Sequence, residues 1–157
     1  MSKEQTPTEP AAEPAAETSK YEPREINNWE DLEAKMDLLR GIYAIGFETP
    51  SPIQKKAISP MFDKKDVIAQ AQSGTGKTGC FAVASLQLTD VTKSVPQVLI
   101  LSPTRELAMQ TQHVIDTIGN QMKGMKTQLL IGGTSTEEDI RKLNENSPQI
   151  IIGCPGR

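Results

Sequence analysis

Within 157 residues, of which 36% are hydrophobic and 4% aromatic, there is room for one modest domain with an aliphatic core and for no second one. The formal net charge of −3 resides entirely in residues 1–25, which hold six acidic and three basic side chains; the remainder is balanced, so no strongly basic surface marks a nucleic-acid binder. Neither a membrane-length apolar run nor an apolar N-terminal segment occurs, so a soluble, intracellular, monomeric protein without a membrane partner is expected.

Residues 1–25 are rich in Glu, Pro, Ala and Thr, with Pro7, Pro10, Pro14 and Pro23, and offer almost nothing apolar beyond Met1 and Tyr21. Such a segment cannot bury enough surface to offset its ordering entropy, and a disordered acidic tail is expected. The folded unit then runs over residues 26–157. Asn28 is a suitable N-cap, and Trp29, Leu32, Met36, Leu39, Ile42 and Tyr43 recur at helical spacing until Gly46. Ser51 followed by Pro52 starts a second helix, with Ile53, Ala57 and Ile58 toward the core and Lys55 and Lys56 in water.

The chain turns on Ala71-Gln72-Ser73-Gly74-Thr75-Gly76-Lys77-Thr78. Residues 66–70 before it are a short apolar run that predicts a buried strand, and residues 79–88 after it suit a helix packed on a sheet. A strand, a glycine-rich turn ending in Gly-Lys-Thr and a helix after it form a phosphate-binding arrangement. Glycines allow successive N–H groups to curl around an anion, and the helix N-terminus adds unpaired donors and partial positive charge. Lys77 then reaches the β- and γ-phosphates of a nucleoside triphosphate and the Thr78 hydroxyl sits on Mg2+. Ala71 stands where the general pattern has glycine, at little cost if that position takes a conformation open to alanine. Taken alone, Phe47 reads as core and Gln54 as surface. With a phosphate loop downstream, the favoured reading is that the Gln54 amide complements adenine and Phe47 stacks on its ring.

Beyond the loop, strand and helix alternate. Residues 97–101, 126–131 and 149–153 predict three more strands; a helix opens at Pro103 with Leu107, Val114, Ile115 and Ile118 on one face, and Ser135 with Glu138 forms a capping box for a short acidic helix through Leu143. Alternating β and α with aliphatic strands argues for an α/β fold, a parallel sheet with helices on both faces, whose ligands gather at the strand C-termini. Pro103, Thr104, Arg105, Gly132, Gly133, Pro155, Gly156 and Arg157 all fall at such ends, where hydroxyls, arginines and glycine amides hold phosphate oxygens without reading bases; each turn by itself is equally a plain tight turn. Cys80 and Cys154 lack a metal-ligand pattern and are expected to be reduced and structural, and the lone His113 carries no catalytic expectation.

As a set, these residues resemble the DEAD-box RNA helicases over about residues 28–157. Residues 46–54 resemble the family's Q motif, with Trp29 at its isolated upstream aromatic; residues 71–78 resemble motif I, where alanine in the first position is usual. Residues 103–110 resemble motif Ia, Gly132-Gly133 the double glycine, and Pro155-Gly156-Arg157 motif Ib. Within the family, residues 39–47, 67–79 and 131–134 are most similar to the translation-initiation-factor-four-A branch.

The resemblance implies a RecA-like P-loop domain, here incomplete, that works with a second such domain in ATP-dependent separation of RNA strands. It places ATP on Trp29, Phe47, Gln54 and residues 71–78, with Lys77 and Thr78 catalytic and Thr78 on Mg2+. It places the RNA backbone on Thr104, Arg105, Gly133, Gly156 and Arg157. Translation-initiation proteins would be the partners and the cytoplasm the location, although a nuclear relative would share every motif. Cys154 stands where motif Ib has threonine, and a thiol is a weak donor for any contact to RNA there.

No Asp-Glu-Ala-Asp follows an apolar strand, and Glu106 in motif Ia has another task. Phosphoryl transfer to water needs an acidic residue on Mg2+ and a group orienting the water, so the chain alone is expected to lack ATPase activity. Two classes of function stand: the N-terminal part of a longer RNA helicase, or a short non-catalytic module binding nucleotide or a helicase partner. A small P-loop kinase is disfavoured because no arginine-rich lid follows.

Overall fold

A computed structural model of the protein describes residues 21–157; the expectation of a disordered tail falls largely on residues 1–20, outside the described residues. The elements are α1 (Met36–Ala44), α2 (Pro52–Phe62), α3 (Lys77–Leu88), β1 (Val98–Leu101), α4 (Arg105–Gly119), β2 (Thr127–Leu130), α5 (Thr136–Asn146) and β3 (Ile150–Gly153). Residues 21–25 run extended and are tethered at Tyr21, whose hydroxyl donates to Asp63 Oδ2 at 2.6 Å.

The three strands form one parallel sheet in the order β1-β3-β2, so the last strand to be made lies in the centre. Ile150 pairs in register with Val98 on one side and Thr127 on the other, and Ile150 and Ile152 are fully buried. Past the strands the pairing continues, Ser102 N–H donating to Gly153 O at 2.8 Å and Cys154 N–H to Leu130 O at 3.0 Å. The three following loops therefore leave the sheet side by side.

Ala108, Thr111, Ile115 and Ile118 are the buried stripe of α4, which packs on β2, β3, α1 and α3. Leu107, expected in that stripe, is half exposed and lines a cleft with Ile100 and Leu101 of β1. At the α1–α4 crossing Gly41 is required by contact, since a Cβ there would sit 1.8 Å from the Ile118 carbonyl oxygen. Each fully buried aliphatic side chain in this core contributes about 1.5–3 kcal/mol relative to exposure.

Two expectations fail. The single helix beginning at Trp29 is broken: Trp29–Leu32 is one 3-10 turn, Glu33 takes the left-handed conformation at φ 51°, and α1 restarts at Met36. The restart rotates the buried face onto Leu38, Gly41 and Ile42 and leaves Met36 and Tyr43 exposed. Residues 66–70 form no strand, and Ile68 is fully exposed. An apolar run becomes a strand only where a neighbour completes its ladder, and among the described residues none pairs with it. β1 likewise ends the sheet with Leu99 and Leu101 exposed. Between that edge and residues 67–69 lies a cleft of about 420 Å3 floored by Phe81 and Ile100 and reaching Lys77, Thr78 and Pro103. The parallel α/β class stands, with three strands where four were expected.

Candidate functional site

The phosphate loop closes on itself. Gly74 and Gly76 take φ of +78° and +97°, the left-handed region that only glycine enters at no steric cost. Ala71 is not among the positive-φ residues, which explains why alanine serves in the first position. Among the described residues the N–H groups of Gly74, Thr75 and Gly76 donate to no protein acceptor, and α3 begins at once with Lys77. The Lys77 ammonium meanwhile donates to the carbonyls of Ala71 and Gln72, both at 2.5 Å. An anion entering the loop meets free N–H donors and a cation held only by neutral oxygens, so the residues fit a polyphosphate.

α2 is bolted to this loop. Gln54 Oε1 accepts from Ser51 N–H at 2.7 Å, completing the capping box of α2, and Gln54 Nε2 donates to Gly76 O at 3.2 Å. The Ser51 hydroxyl donates to Thr75 O at 2.8 Å. The approach is close enough that a Cβ on Gly76 would lie 2.8 Å from Gln54 Nε2, and one on Gly79 would lie 2.5 Å from the same atom and 3.3 Å from the Phe47 ring. Gly46, Phe47, Glu48, Thr49, Ser51, Gln54 and the Gly74–Gly76 turn line one open depression of about 430 Å3. Phe47 and Gln54 thus share a cavity with the loop, although Gln54 is only 3% exposed and spends one end of its amide on the helix cap.

Trp29 is corrected. It is fully buried, stacked on Phe47 with ring centroids 6.4 Å apart and planes 14° from parallel, and does not line the depression beside the loop. It supports Phe47 from behind. Ser51 and Gly79 were missed as parts of the site; the Ser-x-x-Gln spacing of a capping box was there to be read for the first, and nothing local marked the second. Cys80 fits its structural reading, since burial pushes its thiol up to about 11 and leaves it unreactive. Thr78 opens into the cleft beside β1 with Lys77. Among the described residues no cluster of three acidic, histidine or cysteine side chains is placed to hold a metal ion.

At the strand C-termini, Pro103, Thr104, Arg105, Glu106, Gly132, Cys154, Gly156 and Arg157 line a second open depression of about 460 Å3. The loops after β1, β2 and β3 are brought together as the parallel order requires. Thr104 is the N-cap of α4, its hydroxyl accepting from Leu107 N–H at 3.3 Å. Arg105 lies on the double glycine: a Cβ on Gly132 would be 3.0 Å from its Nη2 and one on Gly133 would be 3.1 Å from its Nη1. Arg157 behaves differently. Its Nε and Nη2 donate to Asp139 Oδ2 at 2.9 and 2.7 Å, Nη2 to Thr134 O at 2.8 Å, and Nη1 to Thr136 Oγ1 at 3.0 Å. The hydrogen bonds from Arg157 hold the Asp139 carboxyl below its ordinary range. Glu138, expected to close a capping box with Ser135, instead pairs with Lys142 at 2.6 Å.

A phosphate loop beside the edge of a parallel sheet, coupled to an upstream Gln and followed by a strand-end groove, defines a domain of the P-loop class. The family model of DEAD/DEAH box helicases matches residues 51–157, and the chain belongs to that family. It is 52% identical over 132 residues to the ATP-dependent RNA helicase eIF4A of Mycosarcoma maydis, covering 84% of this chain and 32% of that protein. The corresponding helicase of Encephalitozoon cuniculi is likewise 52% identical over 132 residues. Among solved structures, a DEAD box protein from the hyperthermophile Methanococcus jannaschii superposes with a TM-score of 0.78 at 33% identity, covering 85% of this chain and 36% of that one. Saccharomyces cerevisiae Dbp5 bound to RNA and ADP BeF3 gives 0.70 at 34% identity over 83% of this chain and 32% of that one. The chain spans about a third of the length of the curated relatives it matches.

Proposed function

We propose that this chain binds ATP with Mg2+ in the phosphate loop and the RNA backbone in the strand-end groove, as the N-terminal portion of an ATP-dependent RNA helicase acting in translation initiation in the cytoplasm. The observation that carries the reading is the loop itself: unpaired N–H donors at Gly74–Gly76, tied through Gly76 O to Gln54, with a cation in reserve. Lys77 would exchange its two carbonyl partners for β- and γ-phosphate oxygens, a charge-assisted interaction that neutral oxygens cannot match. Thr78 would offer its hydroxyl to Mg2+, which supplies charge neutralisation between the phosphates when bound. Phe47 and Gln54 line the neighbouring depression at a place suited to a purine. Arg105 and the glycine loops would hold RNA through phosphates and sugars, without base specificity.

The test is the melting temperature of the purified chain with and without ADP and Mg2+. A rise that grows with nucleotide concentration and disappears in Lys77→Ala supports the reading; no rise at millimolar nucleotide removes it. A second reading, a short non-catalytic module that binds nucleotide or a helicase partner, is favoured by one observation: among the described residues no group of three acidic, histidine or cysteine side chains is placed to hold a metal. On either reading the chain alone turns over no ATP, and turnover sensitive to Lys77→Ala would contradict both.

A further inference from the structure

The two arginines of the strand-end groove are in opposite electrostatic states. Among the described residues Arg105 has no hydrogen-bond partner and no ion pair, although Glu106 lines the same depression; its guanidinium lies over Gly132 and Gly133, where an added Cβ would approach it to 3.0–3.1 Å. Arg157 is paired with Asp139 at 2.7 Å, with the two side chains only 14% and 8% exposed. Its remaining contacts, to Thr134 O, Thr134 Oγ1 and Thr136 Oγ1, occupy most of the guanidinium fork. Pulling that cation out to a phosphate would strand a buried carboxylate, which costs more than an exposed phosphate contact returns.

The pairing has a mechanical consequence. Arg157 follows β3 and Asp139 lies in the first turn of α5, after the double-glycine loop, so one ion pair joins the loops that leave two neighbouring strands. Ser135 caps α5 and Thr134 Oγ1 stands 3.1 Å from Asp139 Oδ2, so the carboxylate is held from its own side as well.

We propose that Asp139 is a positioning residue for RNA-backbone binding: it holds Arg157 as a strut between the double-glycine loop and the turn at Gly156, so that Arg105 and not Arg157 is the phosphate ligand of this groove. This rests on the RNA reading above. The strut sets the spacing of the two glycine loops, and the neutralised pair leaves Arg105 as the groove's unpaired positive charge.

Salt dependence separates the roles, because a phosphate ligand releases counterions and a strut does not. The probe is a fluorescein-labelled oligouridylate, its anisotropy titrated with the full chain between 50 and 300 mM KCl. Arg105→Gln is expected to weaken binding and to flatten the plot of log affinity against log salt by about 0.7. Asp139→Asn, Arg157→Gln and the double variant should each weaken binding by the same factor, roughly tenfold, with the wild-type slope retained. Arg157→Lys keeps the charge but not the fork, so it should lose affinity like Arg157→Gln.

The proposal is overturned if Asp139→Asn tightens binding or steepens the slope, the sign of a ligand set free. It is equally overturned if Arg157→Lys binds as wild type while Arg157→Gln flattens the slope. Should Asp139→Asn fail to fold, the Arg157→Lys arm decides alone. Exchange of the Arg157 Nε proton, read by 15N NMR, reports the strut without RNA: slow exchange is expected, and fast exchange refutes it. If the wild type binds no oligouridylate at any salt, the RNA reading and the positioning role both fall, and a protected Nε then marks a purely structural ion pair.

Discussion

The phosphate loop and the strand-end groove each contain a basic side chain that is already hydrogen-bonded, and they teach opposite lessons. Lys77 is held by two backbone carbonyls, neutral oxygens that lose little when the ammonium leaves. Arg157 is held by a buried carboxylate whose charge would be stranded by its departure. A cation parked on neutral acceptors is a ligand in waiting; a cation closed on an anion is part of the frame. By that criterion Arg105, without a partner among the described residues, groups with Lys77, although in the chain it belongs with the other groove residues.

The comparison breaks most visibly at Trp29. Trp29→Ala should cost about 3 kcal/mol of unfolding free energy, toward the low end for a buried aromatic because the indole N–H has no partner to lose. Trp29→Phe should keep the nucleotide-induced rise in melting temperature, since Trp29 is buried behind Phe47; urea denaturation and thermal melts measure the two effects, and loss of the rise in a folded Trp29→Phe would return Trp29 to the site.

For Lys77→Ala the stability without nucleotide should hardly change, while nucleotide affinity falls by about 1.5–3 kcal/mol, on the order of 10- to 150-fold by titration calorimetry. A large loss of stability instead would mean that the carbonyl contacts are structural and the contrast with Arg157 is false. Gln54→Ala removes the cap on Ser51 N–H and the link to Gly76 O together, and should lower stability by about 1–2 kcal/mol as well as nucleotide affinity. Affinity lost with stability intact would mean that Gln54 acts on the ligand alone.

The smallest effect is in pH. Arg157 holds the Asp139 carboxyl below its ordinary value, so the pair contributes stability that is fully present above the unfolded carboxylate pKa and is lost as pH falls through the lower folded one. The difference in melting temperature between wild type and Asp139→Asn should therefore be constant from pH 7 to 5 and shrink in more acid solution. A difference that grew on acidification would contradict the ion pair.

Much of this was legible in the chain. Gly74, Gly76 and the Lys77-Thr78 pair are local signals, because the loop's conformation depends on residues adjacent in sequence. The same holds for Pro52 at the start of α2 and Thr104 at the start of α4. The three strands were legible as aliphatic runs, and their parallel order placed the expected groove residues at one end. Two of the misreadings are long-range. Trp29 looked like a ligand contact until its burial against Phe47 was visible, and the strand expected over residues 66–70 lacked a partner.

What the amino-acid sequence determined by itself is therefore the phosphate loop, the capped helix starts and the family, because each depends on residue types at short, fixed spacing. The tertiary structure decided which charges are free. Arg105 and Arg157 look alike in sequence, and only the pairing of β3 with β2 brings Asp139 to Arg157, while Arg105 forms no ion pair among the described residues. Charge state in a folded protein depends on neighbours and burial, and those are set by contacts between residues far apart in the chain.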